Sequence, residues 1–334
     1  MRPLRYAFAP MEGITGKIFR EIHAAHFPGI DRYCLPFFSP TEVHVLTPRQ
    51  KRELEPGPLS CARLLPQLLT KSADDFLWCA SAIADLGYGE INLNLGCPSG
   101  TVVSKGKGAG MLRDPDALDR FLDAVFSRCP IPISVKTRIG LEEPAEFPAI
   151  LAVLNRYPIC ELTVHPRTRR ELYAGPVHTE AFAEAVRTAA APLCCNGNLF
   201  TPSCVQSVTE AFPTVGGVML GRGLLADPAL AVRCKGGERT RADLLAFHND
   251  LCAAYLTAMH PNQAVLPKLK ELWAYLRLLF PEDGSWKQMK KCKTWAEFYP
   301  ITQELLQNRP LLAEADFLRI DQTETAVCTE NHSR

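Results

Sequence analysis

The sequence predicts an α/β chain: a (β/α)₈ barrel followed by an all-helical C-terminal domain. Three observations predict it. Eight short, near-continuously apolar runs recur between residues 5 and 221. Helical patterns separate the runs. Beyond Gly236-Gly237 the strand-like runs stop and only helical spacing remains. Short apolar runs rich in Val, Ile, Leu and Cys fit parallel strands buried on both faces. Eight of them alternating with helices argue for a closed barrel over an open doubly wound sheet.

The runs cover 5–10, 31–38, 62–69, 90–97, 132–139, 161–167, 192–197 and 217–221. Between them, 73–86 has apolar residues at helical spacing and stops before Gly87. The segment 114–128 opens Asp-Pro, a cap residue followed by proline at the first helical position. The segment 201–212 opens Thr-Pro in the same way, and 146–157 and 179–190 fill the remaining slots. The C-terminal segments 241–259, 267–280 and 295–306 read as helices. The predicted organisation is a barrel over 1–235, a helical domain over 236–320 and a flexible tail over 321–334.

Composition bounds the function. The 334 residues are 47% hydrophobic, enough for a barrel core and a smaller second domain. The net charge of +1 gives no global signature of a nucleic-acid binder, so any basic surface has to be local. None of the 13 cysteines forms a Cys-x-x-Cys pair, and no metal site is expected. Unpatterned thiols suit a reducing compartment. The N-terminus has no signal-peptide core, and no run is long enough for a membrane helix, so a cytoplasmic location is expected.

Active sites of such barrels lie at the C-terminal ends of the strands. Those ends carry Pro10-Met11-Glu12, Gln67, Asn94 through Pro98, Lys136-Thr137-Arg138, His165-Pro166-Arg167, Asn196-Gly197-Asn198 and Gly221-Arg222-Gly223. Polar and glycine residues gathered on one rim describe a ligand site. The ends of strands seven and eight are where barrels commonly hold phosphate, with Arg222 as a charge-assisted donor. Asp227-Pro228 is expected to open a short extra helix there. Cys97 stands at a strand tip and runs into a glycine-rich loop with Lys105 and Lys107, which suit an anion.

These residues resemble the tRNA-dihydrouridine synthase family. The likeness is sharpest over Ile91-Asn92-Leu93-Asn94-Leu95-Gly96-Cys97-Pro98 with Gly108-Ala109. It continues through Ala9-Pro10-Met11-Glu12-Gly13, Gln67, Val135-Lys136-Thr137-Arg138, Val164-His165-Pro166-Arg167-Thr168, Tyr173-Ala174-Gly175-Pro176, Asn196-Gly197 and Gly221-Arg222-Gly223. Two departures stand out. The second strand ends Leu35-Pro36-Phe37-Phe38 where many relatives have a glutamate, and Asp227 stands where many have asparagine.

The resemblance implies reduction of tRNA uridines to dihydrouridine by bound FMN, with NADPH or NADH as reductant. It implies hydride addition at C6 of the uracil and protonation of C5 by Cys97. A thiol is mostly protonated at neutral pH and can act as an acid. Pro10, Met11, Glu12, Gln67, Lys136 and His165 are expected around the flavin ring. Asn196, Gly197, Asn198, Gly221 and Arg222 are expected at its phosphate. Asn94, Arg138, Lys105 and Lys107 are expected to meet the substrate. Lys287, Lys290, Lys291 and Lys293, near Trp286 and Trp295 and behind Lys268 and Lys270, form a local basic cluster for tRNA or a solvated face. A monomer is expected. The competing readings are an FMN barrel oxidoreductase of a free pyrimidine or other small molecule, such as a dihydroorotate dehydrogenase, and a non-catalytic RNA-binding protein.

Overall fold

The computed structural model describes residues 3–320. The strands are Arg5–Phe8 (β1), Arg32–Cys34 (β2), Leu64–Leu65 (β3), Gln67–Leu68 (β4), Ile91–Leu95 (β5), Ile133–Arg138 (β6), Leu162–His165 (β7), Leu193–Asn196 (β8) and Gly217–Leu220 (β9). They are parallel and run in the order β3-β2-β1-β9-β8-β7-β6-β5-β4. The two ends of that order are halves of one stave, broken at Pro66. Leu64 and Leu65 pair with β2, whereas Gln67 and Leu68 pair with β5. Proline has no N–H to donate to a ladder. Its carbonyl still accepts from the Asn92 N–H at 2.8 Å. Counted as one, the broken stave completes eight, and the sheet closes into a barrel through it.

Side chains alternate along each strand, and the two faces differ in kind. Phe8, Tyr33, Leu64, Leu68, Ile91, Leu93, Val135 and Val164 face outward into one large apolar core with the helices. Ala7, Ala9, Cys34, Leu65, Cys194 and Met219 form a separate small cluster inside the ring. The rest of the interior is polar: Gln67, Asn92, Asn94, Ser134, Thr163 and His165 are all buried. Bulky branched residues usually fill barrel interiors. This one leaves room at its upper end.

The five expected barrel helices form at Ala73–Asp85, Pro115–Phe126, Phe147–Leu154, Thr179–Thr188 and Pro202–Ala211. The caps act as their sequences suggest. Asp114 accepts from the Ala117 N–H at 3.0 Å and Thr201 from the Cys204 N–H at 3.2 Å. Two further helices, Lys17–His26 and Pro48–Leu54, fill the first crossovers. The C-terminal helices include Arg241–Ala258, Leu266–Leu276, Ser285–Lys291 and Trp295–Asn308. Phe247 of the first packs edge-on against Phe19 and Phe27, so these helices share the barrel's core. Lys268 Nζ donates to the Gly13 carbonyl at 2.6 Å and fastens them to the rim beside Met11. Among the described residues no helix is long and apolar enough to cross a membrane. The tail expected over 321–334 lies outside the described residues.

The short extra helix expected from Asp227-Pro228 forms at Leu230–Cys234, and Asp227 Oδ1 accepts from the Ala229 N–H at 3.2 Å just before it. A further short helix, Arg222–Ala226, precedes it directly off β9. Asp227 ends it, fully buried, and binds Arg233 and Arg239 at 2.7 Å each. A buried carboxylate between two guanidiniums is a structural clamp. Asp227→Ala leaves both cations without it and is expected to cost about 3–5 kcal/mol. Urea denaturation reads this as a lower midpoint; an unchanged midpoint would show that the arginines find other partners.

Candidate functional site

A cleft of about 480 Å³, open to solvent at its mouth, lies at the C-terminal end of the barrel. It brings together Pro10, Met11, Lys136, His165, Asn196, Gly197, Asn198, Gly221 and Arg222 from the ends of five strands. All nine are residues that the sequence marks for a cofactor. Among the described residues no carboxylate lines this cleft.

The β8–β9 corner is built by close approach. Asn196 Nδ2 donates to the Met219 carbonyl at 2.7 Å and ties the two strand ends together. At Gly197, with φ of 118°, a Cβ would stand 2.9 Å from His165 Cδ2. At Gly223 a Cβ would meet the Leu199 carbonyl at 2.3 Å. Only glycine lets the backbone pass at either place. Asn198 then turns into the left-handed region at φ 51°. Its Oδ1 accepts from Arg167 at 3.1 Å and from Arg222 at 3.2 Å. The Arg222 guanidinium lies between the rings of Tyr173 and Phe200, 4.8 and 5.2 Å from their centroids.

This corner has an excess of cations. Burial, reinforced by Arg222 and Arg138, pushes Arg167 down to about 10. Burial and then Arg138 push Lys136 down to about 8, although part of its side chain faces the cleft. His165 is held well below its usual value by burial and by the same cations. It is therefore neutral, and its Nε2 accepts from Arg167 Nη1 at 3.1 Å. Glu171, whose charge favours Arg167, is taken up by Thr168 and His178. Buried cations that depress one another and lack a carboxylate describe a place for an anion.

Cys97 stands at the next part of the rim, half-buried beyond the end of β5. Asn94 Oδ1 accepts from the backbone N–H of Gly96 at 3.0 Å and of Cys97 at 2.9 Å. Asn94 Nδ2 donates to Gln67 Oε1 at 2.7 Å, and Gln67 Nε2 to Asn92 Oδ1 at 2.7 Å. Arg138 Nε donates to the Gly96 carbonyl at 3.0 Å, and its Nη1 to the carbonyls of Thr168 and Leu172. The loop under Cys97 is thus held from both sides. Burial pushes the thiol above its ordinary value, which keeps it protonated at neutral pH.

Seven expected site residues, Cys97, Glu12, Gln67, Asn94, Arg138, Lys105 and Lys107, do not line the cleft. Glu12 pairs with Arg49 at 3.2 Å on the rim. Gln67, Asn94 and Arg138 form the frame just described. Lys105 is exposed and Lys107 half-buried, both on the Cys97 loop. The sequence motifs include Arg167 and Tyr173 without a site role for either, and Phe200 was missed. A site role for Arg167 was findable, since it follows His165 by two residues at a strand end. Tyr173 and Phe200 sit in loops without periodicity.

The basic cluster narrows. Lys268 is bonded to Gly13, and Lys270 donates to the carbonyls of Lys290 and Cys292, so both are structural. Lys287, Lys290, Lys291 and Lys293 are exposed, with Lys290 Nζ 5.7 Å over the Trp286 ring.

The profile of the family described as dihydrouridine synthase matches residues 7–309. A tRNA-dihydrouridine(16) synthase of Aquipseudomonas alcaligenes is 29% identical over 84% of this chain and 92% of its own length. A probable tRNA-dihydrouridine synthase of Staphylococcus aureus is 28% identical over 75% of this chain and 78% of its own. Probable tRNA-dihydrouridine synthase 2 of Bacillus subtilis is 26% identical over 81% and 85%. Among solved structures, morphinone reductase in complex with tetrahydroNAD superposes with a TM-score of 0.51 at 13% identity, over 73% of this chain and 90% of that one, a likeness of fold.

Proposed function

Since the chain belongs to the dihydrouridine synthase family, we propose that it reduces uridines of tRNA to 5,6-dihydrouridine, with FMN as the bound redox group and NADPH or NADH as reductant. The observation that carries the reading is the carboxylate-free cationic cleft beside a protonated thiol.

The residues present fit FMN. Arg167 and Arg222 converge on Asn198, and a phosphate there relieves their mutual repulsion. Pro10 and Met11 would border the ring, Lys136 would meet its polar edge, and neutral His165 would lie alongside. When bound, FMN supplies the hydride that adds at C6 of the uracil. Cys97 holds the proton destined for C5. The cation of Lys136 stabilises negative charge that develops on the uracil or on the ring. Asn94 and Arg138 position the Cys97 loop and its proton, and Gln67 holds Asn94.

Two experiments test this reading. Denaturation and chromatography are expected to release FMN. Release of FAD alone, or a colourless protein that takes up no FMN, overturns the cofactor. Dihydrouridine is expected to disappear at one or more tRNA positions in a deletion strain, and unchanged content overturns the substrate. The exposed lysines give a third result. Changing Lys287, Lys290 and Lys291 together to Glu is expected to lower tRNA affinity and flatten its salt dependence while flavin stays bound. Unchanged affinity and salt slope would make the cluster a solvated face.

A further inference from the structure

We infer that the barrel rim over β2, β4 and β5 is a second contact surface for the RNA. On it Val43 and Val45 press against unstacked bases, and Lys71, Lys105 and Lys107 take phosphates. The inference rests on the tRNA reading above.

The valines are displayed by a pinned loop. Val43 is 78% and Val45 54% exposed, so two of the four large hydrophobic side chains exposed among the described residues fall within three positions. His44 between them is held in the left-handed region at φ 50°. Its ring stacks on Trp78, 5.0 Å between centroids and 8° between planes, and its Nε2 bonds Asp75 Oδ1 at 2.9 Å. Thr41 Oγ1 accepts from the Val45 N–H and donates to the Val45 carbonyl. Ser39 Oγ donates to the Leu69 carbonyl at 2.8 Å, which ties the loop to the end of β4. A non-glycine residue keeps such a conformation only where its surroundings over-determine it. With His44 turned inward, the valines on either side face out.

The lysines stand next along the same rim. Lys71 follows the end of β4, and a Cβ on Gly106 would lie 3.7 Å from its Nζ. Lys71 thus reaches the Cys97 loop between Lys105 and Lys107. Among the described residues none of these three side chains has a hydrogen bond or ion pair. By contrast, Lys17, Lys235, Lys268 and Lys270 are all engaged. A uracil reaching Cys97 has to leave its stack. The strand carrying it has to cross this loop. Lysines there meet its phosphates, and apolar side chains fill or prop the gap left in the stack. Glu42, exposed beside Val43, is the one carboxylate of the loop and opposes this binding.

The test uses the FMN-loaded enzyme in three variants: Val43→Ser with Val45→Ser, Lys71→Glu with Lys105→Glu, and Glu42→Lys. Flavin absorbance serves as the folding control. For the serine pair, KM for tRNA in anaerobic flavin reoxidation is expected to rise on the order of 10-fold, and a Val43→Leu, Val45→Leu pair to restore it. For the lysine pair, the logarithmic salt slope of tRNA binding is expected to fall by about one per lysine. Glu42→Lys is expected to tighten binding. If wild-type reduced flavin is not reoxidised by tRNA, the substrate reading itself fails. If wild type is active and all three variants match it in KM, affinity and salt slope, the rim surface is overturned and the valines are left for a protein partner.

Discussion

Cys97→Ala is expected to keep its FMN and its reduction by NADPH, and to slow flavin reoxidation by tRNA about 100- to 10,000-fold, the usual contribution of a general acid. The thiol lies outside the cationic corner and bonds to neither Arg167 nor Arg222. Its loss therefore leaves cofactor binding alone. Its backbone is held by Asn94 and its neighbour Gly96 by Arg138, so the truncated side chain does not release the loop. Cys97→Ser is expected to recover little, because a hydroxyl is a far weaker acid than a thiol. Anaerobic stopped-flow reoxidation compares the proteins. Equal rates would make Cys97 structural and move the proton source to Lys136 or a water.

Arg222→Ala is expected to purify with little flavin. A charge-assisted hydrogen bond to phosphate contributes about 1.5–3 kcal/mol, a factor of roughly 10 to 150 in Kd. Arg222 is also the partner whose charge most depresses Arg167, so its removal eases the empty corner. The protein without cofactor is then expected to unfold no earlier than flavin-stripped wild type. That separates a lost phosphate contact from a misfolded chain. Arg222→Lys keeps the charge without the planar fork and is expected to fall between the two. Equilibrium dialysis against FMN reads the series, and wild-type affinity in Arg222→Ala would remove the phosphate from this corner.

The staves were legible because parallel strands buried on both faces leave unbroken apolar runs. Helices with Asp, Ser or Thr caps were equally plain. Lys17–His26 escaped because Gly16 gives no side-chain cap and a polar residue, His23, occupies a core position. Pro48–Leu54 has one apolar face residue, Leu54, yet its Thr47–Gln50 capping box was there to be read. The rim residues were legible because the barrel puts every strand's C-terminal end in one place. What sequence does not encode locally is the division of labour among them. Gln67, Asn94 and Arg138 hold other parts of the site, and Asp227 clamps arginines, because the folded backbone and not a sequence pattern decides which groups claim their polar atoms.

The pairing of β1 with β9 has a consequence for biosynthesis. Of the nine described strands, β1 leaves the ribosome before the others and waits for β9 before its second edge is covered, and until then the nascent sheet is open. The cleft inherits that order. Its Pro10 and Met11 are made first, and its Gly221 and Arg222 last. No half-made chain contains this corner, so on the reading proposed above FMN would be a ligand of the closed ring alone. By mass action it favours that ring over every open intermediate, and cells short of flavin are expected to accumulate less of the protein.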